Sequence, residues 1–426
     1  MTLAVPTAPK QADTITRAES ATAAKQQPPK QADTITRAES AAAAKQQPKA
    51  QPSPDPIEAV VLLLASIVVA AAASSSAMTV ELQPPSLETW LEIITALGLG
   101  CGANLLLACA ASSPRALIGL CPLLLMVPFG VPYRFGISAS AHALISFIGC
   151  WKAVDVLAGT RPTAVVSSGV AAYAMHFLSP VEFQIESKGS RADGKSGAIL
   201  QAGPRLVAGQ LVELAARYAG LALVASLASY VATLPWEGAR ESLALYADVW
   251  TIYLFLSLFS STFGTALAAA GFCPQRTFAA PLLRTTSLSD FWSRRWNLLI
   301  HGLFRRSVFV PLTRGRGVPA WAAGLAAFAI SGAFHEYAFA LQQPALRQSA
   351  GRCALFFLAQ APIVSAEKLL RARMAPPWPM SRSGLACTAF WTLAIVPLAP
   401  LFMHPLKTSG VFEQIRTLAP RLHFVA

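Results

Sequence analysis

The stretch AWAAGLAAFAISGAFHEYAFA, residues 320–340, is apolar throughout except near its end, where His335 and Glu336 sit. As a helix it is long enough to cross a bilayer, which takes about 20 apolar residues. Working outward, similar apolar runs occupy residues 57–73, 90–111, 116–131, 137–157, 163–180, 211–233, 245–271, 352–370 and 384–403. Together they predict an all-α polytopic membrane protein with about 8–10 spans. The composition agrees: 54% of the 426 residues are hydrophobic and 13% are charged, against about a quarter charged in an ordinary soluble domain. Seven cysteines with no paired spacing exclude a small disulfide-stapled module.

Residues 1–56 are of a different composition. QADTITRAESATAAKQQPP at 11–29 returns as QADTITRAESAAAAKQQPK at 31–49, with Thr22 replaced by Ala42 and Pro29 by Lys49. Neither copy has an aromatic residue or enough large apolar side chains to bury, so a disordered, solubilising or regulatory tail is expected. Its five acidic residues argue against a mitochondrial presequence. A membrane domain is expected over 57–403, and a short C-terminal tail over 404–426.

The formal net charge is +13, and residues 272–317 supply +7 of it, from eight arginines and one aspartate. The positive-inside rule assigns this segment to the cytoplasmic face. Within it, SLSDFWSRRWNLLIHGLFRRSVFV at 287–310 reads as an interfacial helix. Ser287 and Asp290 make a capping pair, Asp290 and Arg294 pair across a turn, and Trp292, Trp296, Leu299 and Leu303 form one apolar stripe. Such an element sets topology and holds anionic lipid, or it gathers an anionic amphipathic substrate such as an acyl-CoA. Nucleic acid shares the charge preference but has no reason to sit between two spans.

His335 admits two readings. It is a packing histidine bonded to a neighbouring helix, or a general base in a protein-lined chamber, its ordinary pKa being suited to taking a proton from a hydroxyl. Gly324, Ala327 and Ser331 mark the side on which close helix packing is expected. Glu336 points elsewhere and is expected to orient or balance charge. His142, His176 and His301 read as interior or surface packing residues. Phe339 stands where HExxH needs its second histidine, so no zinc site is expected. A transporter would carry internal repeats with paired half-helices, which the sequence lacks. A scaffold bound through 1–56 would leave the polar pair described next without a purpose.

AAPLLRTTSLSDFWSRRWNLLIHGLFRRSVFVPL at 279–312, followed by AISGAFHEYAF, resembles the wax synthase branch of the membrane-bound O-acyltransferase family. The resemblance is strongest over 272–340, weaker upstream to about residue 90, and absent over 1–56. It implies an all-helical core around a central chamber in the endoplasmic reticulum membrane. The implied reaction takes an acyl group from acyl-CoA to a lipophilic alcohol, most simply a long-chain fatty alcohol giving a wax ester. Relatives in the branch acylate sterol or terpenoid hydroxyls. By the same resemblance His335 is the base and Asn297, 38 residues earlier, orients the reacting groups or stabilises the oxyanion. Arg294, Arg295, Arg305 and Arg306 are candidate phosphate contacts, with Trp292 and Trp296 as walls or interface anchors. Acyl-CoA is then a co-substrate, and neither cofactor nor metal is implied.

Overall fold

The structure, a computed structural model, describes residues 78–81, 86–186, 198–232, 235–341, 350–373, 396–419 and 421–424. The tandem repeat and the candidate span at 57–73 lie outside the described residues, as does the first part of the candidate at 384–403. The chain divides into two units, Met1–Lys49 and Ala50–Ala426, and everything below concerns the second.

After a short strand, β1 (Met78–Glu81), come three long helices: α1 (Leu87–Ala110), α2 (Pro114–Gly130) and α3 (Gly136–Leu157). Serines start the first two. The Ser86 hydroxyl accepts from Thr89 N–H at 3.2 Å, and the Ser113 hydroxyl accepts from Ala116 N–H at 3.3 Å. Pro114 then occupies the first helical position, where a missing N–H costs nothing. α1 buries Ala96, Gly100, Ala103 and Leu107, a stripe at helical spacing, and leaves Leu91, Ile94, Leu105 and Leu106 exposed for lipid. Its buried stripe faces α3 closely enough that a Cβ on Gly100 would sit 2.9 Å from Ile145 Cβ. α3 is the innermost span: 72% of its apolar window is buried, against 28% for α1. Its buried His142, Lys152 and Asp155 therefore face protein rather than hydrocarbon.

The candidate at 163–180 is not one span. It is two short helices, α4 (Thr163–Ser167) and α5 (Val170–Leu178), broken at Gly169 with φ of 94°. A long hairpin follows, α6 (Pro204–Val231) and α7 (Glu237–Ala269). At its open end three extended segments pair edge to edge: Gln184 N donates to Cys273 O, Leu200 N to Gln184 O, and Cys273 N to Leu200 O, all within 2.9 Å. These pairings tie the chain that enters α6 to the chain that leaves α7.

Beyond several single turns, further helices are α8 (Leu298–Phe304), α9 (Ala320–Ala340), α10 (Arg352–Arg373), α11 (Ala399–Thr408) and α12 (Val411–Thr417). α9 and α10 touch at Gly332, where a Cβ would lie 2.8 Å from Ala354 Cα; Gly324, the expected contact, has open space. Residues 404–417, expected to trail as a tail, pack into the core instead. Arg416 and Lys407 clamp Asp248 of α7 at 2.5 and 3.1 Å. Leu221, Tyr253, Phe278, Phe339, Met403 and Phe412 bury one another in a cluster that joins α6, α7, α9, α11 and α12. The last strand, β2 (Arg421–Phe424), pairs antiparallel with β1.

The fold is an all-α, multi-spanning helical membrane protein. Among the described residues five helices are long and apolar enough to cross a membrane: α1, α3, α6, α7 and α10. α2, at 17 residues, is a shorter apolar helix, and α9, with His335 and Glu336 aboard, is not among the five.

Candidate functional site

The basic segment is not one helix from 287 to 310. Ser287 does cap a first turn, Leu288–Asp290, its hydroxyl accepting from Asp290 N–H at 2.8 Å. Asp290 Oδ2 accepts from Thr286 N–H at 3.0 Å, one residue beyond the Ser287 N–H that a reciprocal capping bond would use. The chain then widens into a π-type turn, Phe291–Arg295, and stops. Trp296 is extended and Asn297 is left-handed, at φ 45° and ψ 58°. Asn297 restarts the helix as the cap of α8, its Oδ1 accepting from Ile300 N–H at a long 3.4 Å. Among the described residues the only other left-handed non-glycine is Ala280. The two lie on either side of a short backbone pairing, in which Leu298 N donates to Thr277 O at 2.8 Å and Ala279 N to Arg295 O at 3.0 Å. Strained residues gathered this way are typical of sites where side-chain placement matters.

The break redirects every side chain after it. The tryptophans do not reach out to a headgroup layer but form an inner aromatic wall. Trp296 stacks on Phe291 with ring centroids 5.3 Å apart and packs edge-on against Phe278. Trp292 donates Nε1–H to the buried Gln360 at 3.2 Å and leans on Phe328 and Phe357. Phe357 then stacks on the His335 ring, centroids 4.4 Å apart and planes 28° apart. Phe334 and Phe402 close further sides at 5.3 Å each. His335 therefore sits in an aromatic enclosure between α9, α10 and α11.

One hydrogen bond fixes the state of that ring. His335 Nδ1 lies 2.7 Å from the Ser331 carbonyl oxygen, one turn back on α9. A carbonyl only accepts, so Nδ1 carries the hydrogen and the neutral ring keeps its lone pair on Nε2. Glu336 is occupied elsewhere: its Oε1 accepts from Ala354 N–H at 3.0 Å, in the first turn of α10. A carboxylate at a helix start satisfies an otherwise orphaned donor and favours the dipole. Tyr337 holds the other side of α9 by donating to Leu125 O of α2 at 2.7 Å.

The four arginines divide into two pairs. Arg295 is bonded to Asp290 at 2.5 Å, which displaces the expected Asp290–Arg294 pair, since the π-type turn brings i+5 rather than i+4 alongside. Arg306 is engaged more deeply. It donates to Asp155 of α3 through Nε at 3.2 Å and Nη2 at 2.9 Å, and to both oxygens of Glu182 at 2.9 and 2.5 Å. Lys152 lies in the same cluster and gives its Nζ–H groups to His176 O and Ser179 O. With two carboxylates on its guanidinium, Arg306 is a clasp between the basic segment and α3 rather than an open phosphate contact. Arg294 and Arg305 stay exposed and available to anions. His301, also on α8, is driven to a pKa of about 4 by burial and by Arg305. It is neutral at physiological pH.

Asn297 lines a recess with Leu144, Ile148, Leu256 and Thr277; His335 is not among the residues that line it. Leu299, Ile300 and Phe334 pack in one apolar cluster with Phe147 and Phe304 of the α3–α8 contact. The Nδ2 group of Asn297 has no bond to another described residue, so it is the donor left for a ligand. Among the described residues no three histidine, cysteine or carboxylate side chains gather to hold a metal ion.

The sequence did not point to Asp155, Glu182, Gln360 or Phe357 as partners of the site. Asp155 and Lys152, two charges in an apolar run, were the available signal for the first of these; the others had none.

Residues 275–359 match the model of the family described as membrane bound O-acyl transferases. That interval holds both left-handed residues, the aromatic wall, Asn297 and His335. Over that interval the chain is similar to the family. Among curated proteins the chain is 32% identical over 139 residues to a probable long-chain-alcohol O-fatty-acyltransferase 2 of Arabidopsis thaliana, covering 30% of this chain and 38% of that protein. It is 30% identical over 148 residues to the same plant's probable long-chain-alcohol O-fatty-acyltransferase 3, covering 32% and 40%. An acyl-CoA–sterol O-acyltransferase 1, also of Arabidopsis thaliana, is 43% identical over 67 residues, 15% of this chain and 19% of the relative. The chain thus spans less than half the length of each of these relatives.

Proposed function

We propose that this membrane protein is an acyl-CoA-dependent O-acyltransferase that esterifies a lipophilic alcohol, most simply a long-chain fatty alcohol to give a wax ester. The observation that carries the reading is the His335–Ser331 bond, which leaves Nε2 unprotonated inside an aromatic enclosure. In the proposed step Nε2 takes the proton of the alcohol as its oxygen attacks the thioester carbonyl. The C–S bond then breaks and CoA leaves as thiolate, which receives the proton. No covalent acyl-enzyme is required. By the family resemblance Asn297 would orient the reacting groups or offer Nδ2–H to the developing oxyanion, although it lines a recess that His335 does not. The aromatic lining of Phe357, Phe334 and Phe402 excludes water, which would otherwise compete with the alcohol for the acyl group.

Exposed Arg294 and Arg305, on the face that the positive-inside rule makes cytoplasmic, draw the acyl-CoA phosphates to the membrane. Similarity to fatty-alcohol acyltransferases over the longer alignments favours a fatty alcohol acceptor, and the endoplasmic reticulum membrane is the proposed site of action. The shorter similarity to a sterol acyltransferase makes sterol the acceptor to test beside it. Purified protein in nanodiscs is given radiolabelled palmitoyl-CoA with hexadecanol, a sterol, a terpenoid alcohol or diacylglycerol, and the esters are separated. Wax ester as the dominant product supports the reading. Preferential sterol ester would replace the acceptor and keep the chemistry. No ester with any acceptor would sink both.

A further inference from the structure

Gln360 is wholly buried in α10, a helix long and apolar enough to cross a membrane. An amide in such a place is costly unless both of its ends are satisfied. Both are. Nε2 donates to Phe356 O, one turn back, at 3.2 Å, and Oε1 accepts the Trp292 Nε1–H at 3.2 Å. An indole only donates and a carbonyl only accepts, so the two partners fix which end of the amide faces which.

This bond is one of three along a seam between α10 and the basic segment. Phe357, Gln360, Glu367 and Arg371 fall at i, i+3, i+10 and i+14, which puts them on one face of the helix. Near the end of α10, Glu367 accepts from Ser289 N–H at 3.0 Å and Arg371 donates to Thr286 O at 2.9 Å. Those two bonds hold the start of the basic segment. Gln360 stands about two turns, roughly 10 Å, further back along α10 and holds the π-type turn instead. The indole it holds is wedged between two helices. Trp292 meets Phe328 of α9 edge-on at 5.6 Å and lies 5.9 Å from Phe357 of α10, the ring stacked on His335 at 4.4 Å. Ring packing alone tolerates tilt, whereas a hydrogen bond weakens steeply with angle. The amide is therefore what sets the angle of the wedge.

We infer that Gln360 is a positioning residue for His335, acting through Trp292 and Phe357 to keep the imidazole in its enclosure. It touches no reacting group. The inference deepens the proposed function and rests on it only for the consequence on turnover, so the first measurement needs none. Diethyl pyrocarbonate acylates the unprotonated imidazole nitrogen, and peptide mass spectrometry reads each histidine separately in the full chain in nanodiscs. Gln360→Met keeps the side-chain length and loses the amide. Trp292→Phe loses the donor and breaks the same bond without altering α10, so it carries the test even if Gln360→Met does not fold. Gln360→Glu keeps an accepting oxygen.

The modification rate of His335 is expected to rise about 3- to 10-fold in each of the first two variants, the size of one hydrogen bond, and no further when they are combined. Gln360→Glu should stay near the parent rate. His142, wholly buried on α3, reports general loosening and should keep its own rate throughout. An unchanged His335 rate, additive effects in the double variant, or a parallel rise at His142 would overturn the inference. In an active enzyme, kcat is expected to fall about 10- to 100-fold in Gln360→Met with KM for palmitoyl-CoA held, and to recover in Gln360→Glu. A rise in KM at constant kcat would overturn it by making the seam a binding element. A parent that makes no ester yet shows the expected reactivity pattern would sink the proposed reaction alone and leave the role of Gln360 standing.

Discussion

Arg306 and Asp155 lie 151 residues apart in the chain and meet at 2.9 Å, with the carboxylate wholly buried and the guanidinium about one-quarter exposed. Glu182 closes the other side of the same guanidinium. Arg306→Gln would strand two buried carboxylates, and breaking a buried pair in this way costs roughly 3–5 kcal/mol. The partial exposure of Arg306 puts the expected loss near the lower end, about 3 kcal/mol. Thermal unfolding of the detergent-solubilised protein measures it. An unchanged melting temperature would mean the clasp holds nothing.

The Asn297 position separates backbone from chemistry. Asn297→Gly keeps the left-handed backbone without strain, whereas Asn297→Ala adds about 1–2 kcal/mol of it and also loses the cap. Asn297→Asp keeps an accepting oxygen for Ile300 but removes the Nδ2–H donor. If the amide serves the oxyanion, turnover falls about 10²-fold or more in all three, while stability drops most in Ala. Turnover that follows stability across the series would make Asn297 a structural residue only.

For His335 the expected result is a loss of ester formation of about 10²–10⁴-fold in His335→Ala, with protein yield retained. Glu336 provides the contrast on the same turn of α9. Glu336→Gln can still accept from Ala354 N–H, so it keeps stability and activity; Glu336→Ala loses about 1 kcal/mol by the uncapping of α10. Equal activity losses at the two positions would remove the special role given to His335.

His301 predicts an acid sensitivity of known sign. Its folded pKa, about 4, lies below the ordinary histidine value. The neutral ring therefore contributes stability that is fully present above about pH 6.5 and is lost as the pH falls toward 4. His301→Asn should flatten the decline of melting temperature between pH 7 and 4.5 relative to the parent. Identical slopes would show that His301 does not report burial.

The sequence exposed the long elements because apolar length is a strong signal: the runs at 90–111 and 137–157 return as α1 and α3 within a few residues. It also singled out His335 as the polar residue that an apolar helix has least reason to carry. The turn at Trp296–Asn297 was hidden, because the apolar stripe Trp292–Trp296–Leu299–Leu303 continues unbroken through it. Periodicity reports side-chain chemistry, not the sign of φ. The partners of Arg306 were hidden for another reason: ion pairs across 151 and 124 residues depend on packing that no local window contains.

The antiparallel pairing of Met78–Glu81 with Arg421–Phe424 also counts crossings. Two strands can share a ladder only on one side of a bilayer, so the chain between residues 81 and 421 traverses it an even number of times. The hairpin of α6 and α7 obeys the same arithmetic, since the segments around Leu200 and Cys273 that flank it are bonded to each other. Backbone hydrogen bonds between these two distant segments thus impose a parity on the path between them, independent of where its charges lie. A reporter inserted beside β1 and one inserted beside β2 should surface in the same compartment.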